Sequence, residues 1–169
     1  SPRRPSCASA CASTLASRAL AVRRPGRSRI ASARSAPART RHEASARLAR
    51  LAGERVLEAT CLVNAGLASL EDGELGAALA DLERGSRLLA RLGRVRDLTR
   101  ATANLANVAA LVGDDARARS SCDEASEASP ASGDREALAL VAIVRSELAV
   151  RQGKLRSACA ALESARAEA

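Results

Sequence analysis

From about residue 54 onward, apolar residues recur at steps of three and four. Leu75, Ala78, Leu79, Leu82 and Leu89 fall on one face of a helix, and Leu155, Ala158, Cys159, Leu162 and Ala165 repeat that phase further along. Glycines punctuate the pattern in two interleaved series, at 53, 93 and 133 and at 73, 113 and 153. Each series has a period of forty residues, and the two are offset by twenty. A glycine placed where one amphipathic stretch ends and the next begins suits a helix stop, because it accepts positive φ without a Cβ clash. The spacing predicts helices over 54–71, 74–91, 95–112, 115–128, 134–151 and 155–168. Glu74 and Asp114 stand where acidic side chains suit the positive end of the next helix.

Further columns hold the forty-residue register. Gly66, Ala106 and Ser146 are all small, as are Gly85, Ala125 and Ala165; Ala78, Ala118 and Ala158 coincide, and Leu82, Cys122 and Leu162 form an apolar column. Small residues at matching places let paired helices approach closely. Asn64 and Asn104 match, and Val144 replaces them in the third unit. Residues 41–52 echo 81–92, with Glu43/Glu83, Arg47/Arg87 and Leu48/Leu88 in register, so they read as the last helix of an earlier unit. Both ends look cut, and a chain without Met is expected to be a fragment or a processed form.

Charge divides the chain. The formal net charge is +8, yet residues 1–42 hold ten arginines and no acid, while all nineteen acids lie from Glu43 onward against seventeen basic residues. The basic excess therefore belongs to an expected disordered tail, 1–40, rich in Arg, Ser, Ala and Pro, and the repeat region 41–169 is slightly acidic. Three readings of the tail stay open: a segment too poor in apolar surface to order itself, an organellar transit peptide, or an arm that grips nucleic-acid phosphate. The absence of Phe, Tyr and Trp removes the platforms on which single-stranded bases stack, so nucleic acid is the alternative partner and not the leading one.

At these columns the repeats resemble the tetratricopeptide repeat family in its longer, forty-residue variant, with units 53–92, 93–132 and 133–169. Pro130 sits where that family often places a proline after the second helix, and the family's aromatic positions are all missing here. The resemblance implies an all-α fold, a right-handed α-α superhelix of about three helix pairs plus one preceding helix, which binds a peptide or partner protein. In such arrays the first helix of each pair lines a concave groove. By that analogy the groove takes Thr60, Val63, Asn64, Leu67 and Leu70 from the first unit. Arg100, Ala103, Asn104, Asn107 and Ala110 follow from the second, then Leu140, Ile143, Glu147 and Val150. The peptide-binding candidates are Asn64, Leu67, Arg100, Asn104, Asn107 and Glu147. An amide offers both donor and acceptor to a bound backbone; interhelical bonding or plain solvation is the alternative for Asn64 and Asn104. The family's terminal-carboxylate clamp is absent, since Val63, Leu67, Leu140 and Val144 occupy its places. Such arrays also occur in bacterial signalling proteins beside kinase or ATPase modules.

Chemistry is otherwise sparse. No phosphate-loop, dinucleotide, zinc-protease or serine-nucleophile signature occurs, and the single histidine, His42, leaves little for acid–base work. Cys7 and Cys11 with one histidine fall short of the four ligands a zinc site needs, and five widely spaced cysteines argue against a disulfide framework. The expectation is therefore a non-enzymatic scaffold without cofactor or metal. No apolar run reaches the roughly 18 residues of a membrane span, so the expected setting is soluble and cytoplasmic.

Overall fold

The computed structural model describes the backbone of residues 25–168 and the side chains of 38–163 apart from residue 129. Among these residues the chain is all-helical, with seven helices in sequence: α1 (Pro25–Leu51), α2 (Arg55–Glu71), α3 (Leu75–Arg91), α4 (Val95–Val112), α5 (Asp115–Ser132), α6 (Arg135–Arg151) and α7 (Leu155–Glu168). Five of the six predicted helices agree to within one residue at the ends described. The exception is α5, which continues past 128 and carries Pro130 inside its last turns. Proline fixes a φ that a helix uses and forfeits one backbone hydrogen bond, so a helix near its end can absorb it. The helix expected at 41–52 begins instead at Pro25, so α1 reaches into the arginine-rich segment. The rest of that segment, residues 1–24 with Cys7 and Cys11, lies outside the described residues.

The glycine punctuation is a backbone requirement. At the end of α2, Gly73 takes φ +78°, and a Cβ added there would meet nothing within 4 Å, so conformation and not space selects glycine. The turn is a Schellman motif: the Gly73 N–H donates to the Leu70 carbonyl at 3.0 Å and the Glu74 N–H to the Ser69 carbonyl at 2.8 Å. The same pair of bonds recurs after Gly53, Gly93, Gly113 and Gly153, and all six register glycines have positive φ.

Turns of two or three residues bring successive helices back on one another. Gly66 of α2 faces Ala78 and Leu82 of α3, while Gly85 of α3 faces Val63 and Ala59 of α2, so the pair is antiparallel about Gly73. Between sequence neighbours the contacts are extensive throughout, and the first helices α4 and α6 also touch directly. Each helix thus packs against its sequence neighbours.

The core is built largely from alanine. Its largest cluster joins Ala103, Ala106, Ala109 and Ala110 of α4 to Ala118, Cys122 and Ala125 of α5 and to Ala137, Val141, Val144 and Leu148 of α6. A second cluster sets Ala78 and Leu82 of α3 against Leu105 and Val108 of α4, with Leu75 and Leu79 packed on it. Each buried methyl contributes only about 0.8 kcal/mol, so close backbone approach must supply dispersion contacts that larger side chains provide elsewhere. Leu155 departs from the pattern: it is 62% exposed, whereas its register equivalent Leu75 packs on the cluster of Ala78, Leu82, Leu105 and Val108.

Candidate partner-binding face

Two acids expected to complement helix starts behave differently. Asp114 accepts the Arg117 N–H at 3.0 Å and so closes the first turn of α5. Glu74 makes no cap bond; its carboxylate is taken by Arg39 at 3.1 Å. A buried cap is Asp134, at 2% exposure, whose Oδ1 accepts the Ala137 N–H at 3.1 Å. Its Oδ2 accepts from Arg100 of α4, at 2.9 Å from Nη2 and 3.1 Å from Nε. An aspartate at a helix start is a legible cap signal, and its second use by Arg100 is visible only in the fold.

Those bonds define how first helices lie together. Arg100, near the start of α4, reaches Asp134 and Glu136 at the start of α6. Arg151, at the end of α6, donates to the Ala110 carbonyl near the end of α4 at 2.8 Å and to Asp115 at 2.7 Å. The two helices therefore run in the same direction, one repeat period out of step. The linked residues stand 34 to 41 positions apart, close to the repeat period.

Between Thr99 and Ala110, every α4 residue is buried except Arg100, Asn104 and Asn107. Steps of four and three put those three on one stripe, which is the only opening the central helix leaves to solvent over that stretch. In α2 the register equivalents are Thr60, exposed, and Asn64 and Leu67, half-buried; in α6, Leu140 and Glu147 are half-buried. The six peptide-binding candidates thus all keep solvent access, while Val144 is fully buried in the core.

Two residues assigned to the groove by analogy do not line an open surface. Ala103 and Ala110 are completely buried among α5 and α6 side chains. Val63, Leu70 and Leu140 stay half-buried while packing on core clusters, Val63 against Gly85. The reason is steric and local to α4: packed against α3, α5 and α6, it keeps one narrow stripe free between Thr99 and Ala110.

The amide chemistry of the stripe is partly engaged. Asn104 Nδ2 donates to the Arg100 carbonyl one turn earlier at 2.9 Å, within its own helix. Thr60 likewise donates to the Val56 carbonyl at 3.0 Å. Arg100 retains 52% side-chain exposure beside its two acids, so it is both a strut between α4 and α6 and an accessible cation.

Cysteine chemistry is muted. Cys122 is completely buried, and burial raises its thiol to about 11 against the opposing influence of Arg145. Cys61 is also buried and raised by desolvation. Among the described residues no group of three or more His, Cys, Asp or Glu gathers as a metal site, and no helix is long and apolar enough to cross a membrane. Compared with family models, the chain matches none, and it matches no curated protein.

Proposed function

We propose that this chain is a non-catalytic scaffold, a right-handed helical solenoid of the tetratricopeptide kind, which binds a peptide or partner protein along its first helices. The observation that carries the reading is the parallel, one-period-shifted alignment of α4 and α6, with Arg100, Asn104 and Asn107 as the sole accessible stripe of the central stretch. Asn64 and Leu67 extend that stripe on α2, and Glu147 extends it on α6. An extended segment laid across the stripe meets amides for its backbone and a cation and an acid for its side chains. A cytoplasmic role within a larger signalling protein, next to a kinase or ATPase module, fits this use.

The test is selection of binding peptides from a random library displayed on phage, followed by affinity measurement with Asn64→Ala/Asn104→Ala. A loss of at least about fivefold, the scale of one to two neutral hydrogen bonds, supports the face. Unchanged affinity overturns it.

A further inference from the structure

Five arginines converge where the C-terminal ends of α1 and α3 meet the start of α2. Arg50, Arg55, Arg84, Arg87 and Arg91 line one cleft of about 250 Å³, accompanied by a single acid, Glu58. Its apolar lining is Leu62 and Leu88. A smaller cavity adjoins it, adding Arg47 and Glu43. Arg55 is paired with Glu58 at 2.7 Å and Arg84 with Asp81 at 3.3 Å. Arg47, Arg50 and Arg91 have no acidic partner among the described residues.

Repeat packing does not require this charge. One period on, the equivalents of Arg84 and Arg87 are Glu124 and Glu127, those of Arg50 and Arg91 are Ala90 and Ala131, and that of Arg55 is Val95. The same helical geometry is therefore built with acids, alanine and valine. Helix dipoles account for part of the cluster only: Arg50 and Arg91 stand in last turns, where cations are favoured, but Arg55 stands in a first turn, where they are not. Guanidiniums sharing a cleft repel one another, and a bound anion offsets that repulsion.

We infer that this cleft is a docking site for an acidic peptide segment of a partner protein, two or more carboxylates flanking an aliphatic side chain. Guanidinium forks pair with carboxylates bidentately. Arg84 and Arg91 lie seven residues apart, about 10.5 Å along a helix at 1.5 Å per residue. An extended peptide covers that length in roughly three residues at about 3.3 Å each. Leu62 and Leu88 offer the aliphatic residue an apolar place between the acids. A nucleic-acid strand fits less well, because Glu58 and Glu43 oppose a continuous phosphate backbone and no aromatic ring is present to stack a base. The site is independent of the stripe: Arg55, Glu58 and Leu62 lie on the side of α2 roughly opposite Thr60, Asn64 and Leu67, at about 100° per residue.

The experiment uses the full chain and a fluorescein-labelled Glu-Glu-Leu-Glu-Glu peptide, with Gln-Gln-Leu-Gln-Gln as control. The acidic peptide binds, the control does not, and affinity falls with salt. Arg50→Gln/Arg91→Gln removes no ion pair, so circular dichroism stays unchanged while affinity drops about tenfold or more, as for close interfacial charge pairs. Asn64→Ala/Asn104→Ala leaves this binding intact, which separates it from the stripe. Unchanged affinity in Arg50→Gln/Arg91→Gln places binding on the arginines before residue 42 and overturns the assignment. It is also overturned if an RNA or DNA oligomer of equal charge binds more tightly and is lost in the same variant. Salt-sensitive self-association abolished by that variant overturns it as well, since the occupant is then the acidic α5 of a second copy.

Discussion

Arg39 Nε lies 3.7 Å from Oδ2 of Asp81, and the same guanidinium touches Glu43 and Glu74 at 3.1 Å each. This arginine belongs by composition to the acid-free part of the chain and by contact to the first helix pair. Asp81 is only 4% exposed, and Oδ2 has no hydrogen bond, so the pair holds charge in the core edge without full compensation.

The pH behaviour of Asp81 follows. Desolvation raises its carboxyl above the usual range, outweighing the attraction of Arg39. A carboxylate raised on folding opposes stability when ionised: the cost is complete above the folded pKa and fades as pH falls through it towards the ordinary value. Asp81→Asn is therefore expected to be at least as stable as the parent at pH 7, with the difference closing in acid. Arg39→Ala leaves the acids uncompensated and is expected to cost about 1–3 kcal/mol, below the 3–5 typical of fully buried pairs because Arg39 is 30% exposed. Urea melts across pH measure both, and a strongly destabilised Asp81→Asn at pH 7 contradicts the account.

The helix glycines separate packing from propensity. A Cβ at Gly85 would sit 2.7 Å from Val63 Cγ2 and 3.2 Å from the Val63 nitrogen, and one at Gly66 would sit 2.8 Å from Leu82 Cγ. Gly76, also helical, has nothing within 4 Å. Gly85→Ala is expected to destabilise by about 1–3 kcal/mol through overpacking, despite its better helix propensity. Gly76→Ala is expected to stabilise by about 0.5 kcal/mol. Thermal melts showing the same sign for both would reject the distinction.

Asp134 performs two tasks that mutation can separate. Asp134→Asn keeps an acceptor for the Ala137 N–H and loses the ion pair with Arg100, whereas Asp134→Ala loses both. Loss of the cap alone costs about 0.5–2 kcal/mol, so the alanine variant should be the less stable by about that amount. A double-mutant cycle with Arg100→Ala should show coupling for Asp134→Asn; strict additivity means the 2.9 Å contact contributes nothing in solution.

Thiol reactivity should follow burial. Cys122 is completely buried with a thiol raised to about 11, while Cys159 is half-buried. Maleimide labelling of native protein at pH 8, read by peptide mass spectrometry, is expected to modify Cys159 well before Cys122. Because the folded thiol holds its proton more tightly than the unfolded one, the contribution of Cys122 to stability is intact below about pH 8.5 and is lost as pH rises towards 11. Early modification of Cys122 would show that α5 opens readily.

The helices were legible because glycine, in the left-handed turns at 73 and its register mates, leaves a mark no other residue makes as cheaply. The exposed stripe was legible in part. Arg100, Asn104 and Asn107 follow from helical spacing, but Ala103 and Ala110 were misplaced because spacing alone does not say how many neighbours a helix has. Pro130 read as lying beyond a helix it in fact occupies, since a proline near a helix end costs one bond only. The arginine cleft was not legible, because its residues come from three helices and converge only when α1 and α3 lie on either side of α2. Arg39 was hidden for a simpler reason: bulk charge assigned it to the tail.

The Schellman turns have a consequence for how such a chain can change length. Each of the five closes a helix with backbone carbonyls of that same helix, so the turn's own backbone bonds need no partner from the next unit. An in-frame duplication of one forty-residue period would insert a helix pair whose ends are already satisfied and whose flanks match their new neighbours. Growth by copying then needs no compensating substitutions at the turns, and novelty is confined to the surfaces each copy presents.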